Sequence, residues 1–161
     1  MNRERTYAWE DPQIFVDALP KLSGLEFLGK ISSGELPAVP AGVTTGVVPV
    51  AVGEGWAEFE LQPEEWNYNP IGAVHGGMLS GLLDSALGCA VHTKLPAGMG
   101  YTSLDLTIKF TRAANLDSGL LRCRGEVVTF GRRAATAEGR VVDARGRVVA
   151  HGVSTCMLFS L

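Results

Sequence analysis

Charge is scarce in this sequence. Asp, Glu, Lys and Arg make up only 19% of its 161 residues and sum to a net −3, with a pI near 5.6. That balance supplies no basic field to hold nucleic acid or an anionic membrane surface, so neither is expected as a partner. Cysteine is scarce too. Cys89, Cys123 and Cys156 are an odd number, widely spaced, with no C-x-x-C pair. They argue against a disulfide scaffold and read as reduced core residues of a cytoplasmic protein. His75, His92 and His151 lack ligand-like partners at helical or loop spacing, so no metal site is expected. The opening MNRERTYAWEDPQ has charges but no apolar run behind them and is not read as a signal peptide. There is no internal repeat and no low-complexity segment.

Hydrophobic residues, by contrast, reach 46%. A single domain of this length buries roughly two-thirds of its unfolded surface, enough for a real core. Two short helices are expected first. Asp11-Pro12 caps one that runs to about Leu19. Ser23 and Glu26 form a capping box for a second, running to about Ser33, with Leu22 and Phe27 placed as a hydrophobic staple. GELPAVPAG then ends it. Residues 1–41 therefore read as a helical extension and 42–161 as the main domain.

From Val43 the period becomes two. TTGVVPVAV and WAEFEL, joined by GEG, predict a hairpin. After a long apolar segment, TSLDLTIKF alternates, with Leu104, Leu106, Ile108 and Phe110 on one face. Three more strands are expected in GLLRCRGEVVTF, RRAATAEGRVVD and RVVAHGVSTCMLF, with tight turns at Gly131 and at Ala144–Gly146. The order β-β-α-β-β-β-β, antiparallel, is an α+β fold in which the sheet curls around one long helix. A helix apolar on all sides is a buried one. Gly81, Ser85 and Gly88 form a small-residue stripe along it that would let another backbone come close.

That helix lies in NPIGAVHGGMLSGLLDSALGCA, Asn69–Ala90, whose only charged residue is Asp84. The stretch is long enough to cross a bilayer, but its glycines, His75, Ser80 and Asp84 argue against it. A buried carboxylate is costly unless it is paired, neutralised or used. A structural ion pair or cap is the plain alternative, and a working site is the favoured one. His75-Gly76-Gly77 opens the helix, where first-turn N–H groups have no helical partner and can donate to an incoming oxygen. His75 and Asp84 are nine residues apart, about 900° of rotation and ~13 Å of rise, hence on opposite faces. Either they are unrelated or the site is assembled between two subunits, as a two-fold interface allows.

N-x5-H-G-G with an Asp nine residues after the His, inside this strand order, resembles the hotdog-fold acyl-CoA thioesterases of the phenylacetyl-CoA (PaaI) type, from about Val43 to Phe159. The resemblance implies that the backbone N–H of Gly76, helped by the Asn69 side chain, polarises a thioester carbonyl. It implies that Asp84 of the neighbouring subunit acts as general base or nucleophile, in a dry seam between subunits. Ser103 would hold the water and His75 would fix the loop. Arg112, Arg132 and Arg133 are the candidates for CoA phosphates. CoA is then part of the substrate and no separate cofactor is called for. A homodimer is implied, with a dimer of dimers as the larger form. Met78, Leu82, Leu83, Trp66 and Tyr68 are candidates to line the acyl pocket. Two other readings share the fold. A dehydratase or hydratase would want a catalytic His paired with a differently placed Glu or Asp. A non-catalytic acyl-CoA sensor would be expected to carry a DNA-reading domain, and the N-terminal helices show no basic recognition helix.

Overall fold

Alternation of apolar and charged side chains sets which way each strand faces. In the computed structural model, which describes residues 2–161, strand β2 (Trp56–Leu61) buries Ala57, Phe59 and Leu61 and turns Glu58 and Glu60 outward. Strand β5 (Leu121–Phe130) buries Leu121 and Cys123 and turns Arg122, Arg124 and Glu126 outward. With β1 (Val47–Gly53), β6 (Ala134–Val142), β7 (Val148–Ser160), β3 (Met99–Ser103) and β4 (Thr107–Phe110) they form one antiparallel sheet. Its order is β1-β2-β5-β6-β7-β3, and β4 also pairs with β7. The sheet wraps the long helix α4 (Gly76–His92), whose Leu79, Leu82, Leu83, Ala86, Leu87, Ala90 and Val91 are buried against it. This is the hotdog architecture.

Close approach of helix and sheet comes from the sheet. Gly125 and Gly139 stand opposite each other on β5 and β6. A Cβ on Gly125 would lie 2.3 Å from the Ala86 carbonyl oxygen, and one on Gly139 would lie 2.9 Å from Leu87 Cδ1. Along the helix stripe, Gly88 is filled by the Tyr101 ring of β3, not by a backbone, and a Cβ added at Gly81 would meet nothing within 4 Å in the single chain.

Two expectations need correcting. The first strand does not begin near Val43: Pro40–Thr45 forms a short helix, α3, with proline in its first turn. It ends at Gly46, whose φ of +79° other residues adopt at a cost. The expected single strand TSLDLTIKF is two strands. Ser103 faces Cys156 and Thr107 faces Val153, so four steps on the edge match three on β7 and one residue is extra. The break is held by Asp105, whose Oδ1 accepts the Thr155 N–H (2.9 Å) and whose carbonyl accepts the Ser154 hydroxyl (2.8 Å). The supposed inward face is only half so: Leu106 and Ile108 pack against the core, while Leu104 is 60% and Phe110 54% exposed. At the opposite edge, β1 carries Pro49 and an irregularity between Pro49 and Ala51.

Before α3 come α1 (Gln13–Ala18), where Asp11 Oδ1 accepts the Gln13 N–H, and α2 (Gly24–Ser33), opened by the Ser23–Glu26 capping box. Helix α2 covers the end of α4: Gly24 N–H donates to the Leu95 carbonyl (2.9 Å), and the Phe27 ring lies 5.7 Å from that of His92. The other side of His92 meets Tyr101 at 5.5 Å. Burial lowers the His92 pKa from 6.5 to about 4. A folded value below the unfolded one means that this contribution is complete above pH 6.5 and lost as pH falls toward 4, at most about 3 kcal/mol. Urea unfolding at pH 7 and pH 4.5 is expected to show a smaller acid loss for His92→Phe than for the native chain. Equal losses would remove His92 as a cause. No helix among the described residues is long and apolar enough to cross a membrane.

Candidate active site

The loop entering α4 is shaped by one asparagine. Asn69 Oδ1 accepts the N–H groups of Ile71 and Ala73 (3.1 Å each), and its own N–H donates to the Ala73 carbonyl (2.7 Å). Gly72, at φ +79°, makes the turn possible. The loop ends are tied where His75 N–H donates to the buried Asn67 carbonyl (2.7 Å). With Oδ1 committed, the Asn69 amide Nδ2 has no acceptor among the described residues and is available as a donor.

His75 is the N-cap of α4. Its Nδ1 accepts the Gly77 N–H at 2.9 Å, which leaves a neutral ring's proton on Nε2. Met78 and Leu79 N–H groups turn back to the His75 carbonyl. Gly76 N–H is therefore the donor of the first turn without an acceptor among the described residues, at the positive end of the helix. Phe110 stands beside it: a Cβ on Gly76 would lie 3.2 Å from the ring's Cζ.

Asp84 is exposed in the single chain, on the one strip of α4 the sheet leaves uncovered, with Gly77 exposed and Gly81 and Ser85 half-buried. Ser103, at the end of β3, donates its hydroxyl to Asp84 Oδ1 at 3.1 Å. Gly76 and Asp84 are eight residues apart on one helix, about 12 Å of rise. One protomer thus brings Asn69, His75 and Gly76 together, and separately pairs Asp84 with Ser103.

The three arginines do not form one cluster. Arg112 N–H donates to the Val149 carbonyl, while the Arg133 carbonyl accepts from Leu158, nine residues along β7. That is about 30 Å of extended strand, too far for one phosphate within a protomer. Arg132 shares the exposed β5–β6 turn with Arg133. Of the pocket candidates, Leu82 and Leu83 are fully inside the core. Trp66 lies under the Arg5 guanidinium (3.5 Å), Tyr68 accepts the Leu116 N–H, and Met78 is half-buried. Phe110 was missed as a site residue because its alternation read as core. Asn67 gave no signal beyond lying two residues before Asn69, although its buried Nδ2 has no partner among the described residues.

The sequence pattern of the thioesterase superfamily matches residues 71–150, which span Gly76, Asp84, Ser103 and Phe110. A solved structure of a phenylacetic acid degradation-related protein from Ralstonia eutropha JMP134 is 34% identical, over 81% of this chain and 98% of that one, with a TM-score of 0.72. The chain belongs to the thioesterase superfamily. As a member of it, the protein is a thioester hydrolase. A conserved protein of Pseudomonas aeruginosa is 30% identical over 76% of this chain and all of that one, TM-score 0.71. The PaaI protein of E. coli, from the phenylacetic acid degradation operon, shares the fold at 21% identity, covering 86% and 96% of the two chains, TM-score 0.72. No curated protein matches. The thioesterase match begins at Ile71, so Asn69 lies just outside it.

Proposed function

We propose that this thioesterase hydrolyses an acyl-CoA to the free acid and CoA at sites shared between two subunits. The observation that carries the reading is the division on α4. An unpartnered N–H stands at Gly76 at the helix head, and the helix's one carboxylate stands at Asp84 on its open strip, held by Ser103. A two-fold partner laid along that strip and the exposed β3–β4 edge supplies to each Gly76 the Asp84 of the other chain. The thioester carbonyl oxygen accepts from Gly76 N–H and Asn69 Nδ2. The partner's Asp84 either takes a proton from water as the water attacks, or attacks the carbonyl carbon itself. Collapse of the tetrahedral oxyanion breaks the C–S bond, and the thiolate leaves as CoA after protonation; in the second route water then hydrolyses the acyl–Asp84 anhydride to the free acid and restores the carboxylate. His75 keeps the Gly77 N–H occupied and the loop in place. The separation of the arginines supports CoA phosphates meeting either Arg112 or the Arg132–Arg133 turn from any one chain. Residues 42–161 carry the chemistry, with 1–41 as an extension, and the unpaired cysteines support a reducing, cytoplasmic setting.

Mixed subunits test the shared site. Asn69→Asp keeps the oxygen that Ile71 and Ala73 need but deletes the amide donor. Asp84→Ala deletes the carboxylate. Each alone is expected to be nearly inactive. After subunit exchange half the dimers are mixed and each has one intact site, so thioester hydrolysis should return to about a quarter of the native rate. No recovery despite demonstrated exchange would put both residues in one subunit's site or outside the chemistry.

A further inference from the structure

Two arginines near the start of the chain tie it to the base of the loop that enters α4. Arg5 donates to the Thr44 carbonyl (2.6 Å) and to the Val43 carbonyl (3.0 Å), in the last turn of α3, where carbonyls lack a helical donor. Its guanidinium lies 3.5 Å over the Trp66 ring and 5.0 Å from the Tyr7 ring. Arg3 pairs with Glu65. Trp66 is seated on its other contact against the start of β1: a Cβ on Gly46 would lie 2.9 Å from the ring. Glu65–Asn67 is a single 3-10 turn, and the loop begins where it ends.

The loop closes on that turn. The Asn67 carbonyl accepts the His75 N–H (2.7 Å), Tyr68 bridges to Val74, and Asn69 follows at once. We propose that residues 3–7 form a strap that holds this turn, and with it Asn69 and Gly76, and that Arg5 is a positioning residue for thioester hydrolysis. The effect on rate rests on the acyl-CoA reading above, in which those two residues are the carbonyl's donors; the effect on the loop does not. A guanidinium suits the task because its edge donates to two carbonyls while its face stacks on an indole, and an ammonium cannot do both. Misplacing a catalytic group by about 1 Å can cost 10²-fold in rate, so a tie remote from the substrate has a measurable effect. Arg3 adds little, because its pair with Glu65 is 72% and 53% exposed.

Hydrogen–deuterium exchange and steady-state kinetics on Arg5→Gln, Arg5→Lys, Arg3→Gln and Trp66→Leu test this. In Arg5→Gln the hydrogen-bonded amides of Asn69, Ala73, Val74 and His75 are expected to exchange at least about fivefold faster. Those of β5 and β6 should keep the native rate, and Arg5→Lys should fall between. With acetyl-, hexanoyl- and phenylacetyl-CoA as probes, Arg5→Gln should lower kcat about tenfold and leave KM within about twofold, because Arg5 acts through the loop and not on the substrate. Arg3→Gln should behave as native. Trp66→Leu should match Arg5→Gln, and combining the two should lower kcat no further, since both cut the same tie. Unchanged loop exchange in Arg5→Gln would overturn the strap. Faster loop exchange with native kcat would overturn the positioning role. A native chain that cleaved none of the probes would count against the acyl-CoA reading alone, and loop exchange would still decide the strap.

Discussion

Asp84→Asn is expected to lower thioester hydrolysis by at least about 10²-fold, the loss typical of a missing general base. The substitution keeps size and hydrogen-bonding capacity, and its Oδ1 still accepts from Ser103 as now, at 3.1 Å. What disappears is the basic, nucleophilic oxygen. Affinity for a non-hydrolysable acyl-CoA analogue should barely move, because the carboxylate acts on water or the carbonyl carbon, not on the nucleotide. In the shared site proposed above, thermal stability should hold or rise, since a neutral amide costs less there than a charge removed from water. A purely structural carboxylate would give the opposite pattern of lower melting temperature and normal turnover per folded molecule. Turnover, analogue affinity and melting on one preparation separate the two. A stable variant with native turnover would remove Asp84 from the mechanism.

Gly76→Pro is expected to be as damaging, for a different reason. The first helical position tolerates proline well, because its N–H has no helical acceptor in any case. His75 already has the extended backbone that a residue before proline requires, with φ −61° and ψ 137°. Helix α4 should therefore form while the first-turn donor that has no acceptor among the described residues is deleted. Loss of a single oxyanion donor costs about 10²–10³ in rate. Gly76→Ala is the control: it keeps the N–H and introduces the same Cβ, which meets Phe110 at 3.2 Å. Any crowding at the ring appears in both variants, whereas loss of the donor appears only with proline. If proline and alanine reduced turnover equally, the damage would belong to Phe110 and not to the oxyanion.

Local signals carried well from sequence to structure. The Ser23–Glu26 box and the alternation of Glu58, Glu60, Arg122 and Arg124 with buried neighbours rest on contacts a few residues apart or on simple periodicity. Features set by distant partners did not carry. The break after Ser103 depends on Asp105 bonding to Thr155, fifty residues away. Leu104 and Phe110 alternate as a core face would, yet the edge they occupy has no strand beyond it in the single chain. In α3 the proline start and glycine stop were both present, but Val43, Thr44 and Thr45 suggested a strand. The Gly125–Gly139 contact was invisible because nothing in either strand says which residues face each other. At the site, Asn69, His75 and Gly76 form one legible local unit. The bond from Ser103 to Asp84, nineteen residues earlier, was not foreseen: family resemblance named both residues but had Ser103 holding the water.

Pro49 and the irregular step beside it have a bearing on solubility. A sheet edge with all its N–H groups in register is a template on which further chains can add without limit. At Pro49 the β1 edge lacks a donor, and the offset before Ala51 throws the remaining ones out of step. Growth by strand addition is thereby confined to the β3–β4 side. In the two-fold arrangement proposed above, the joined sheet would end at both limits in the same blunted strand, so that it closes as a finite particle and not as a filament.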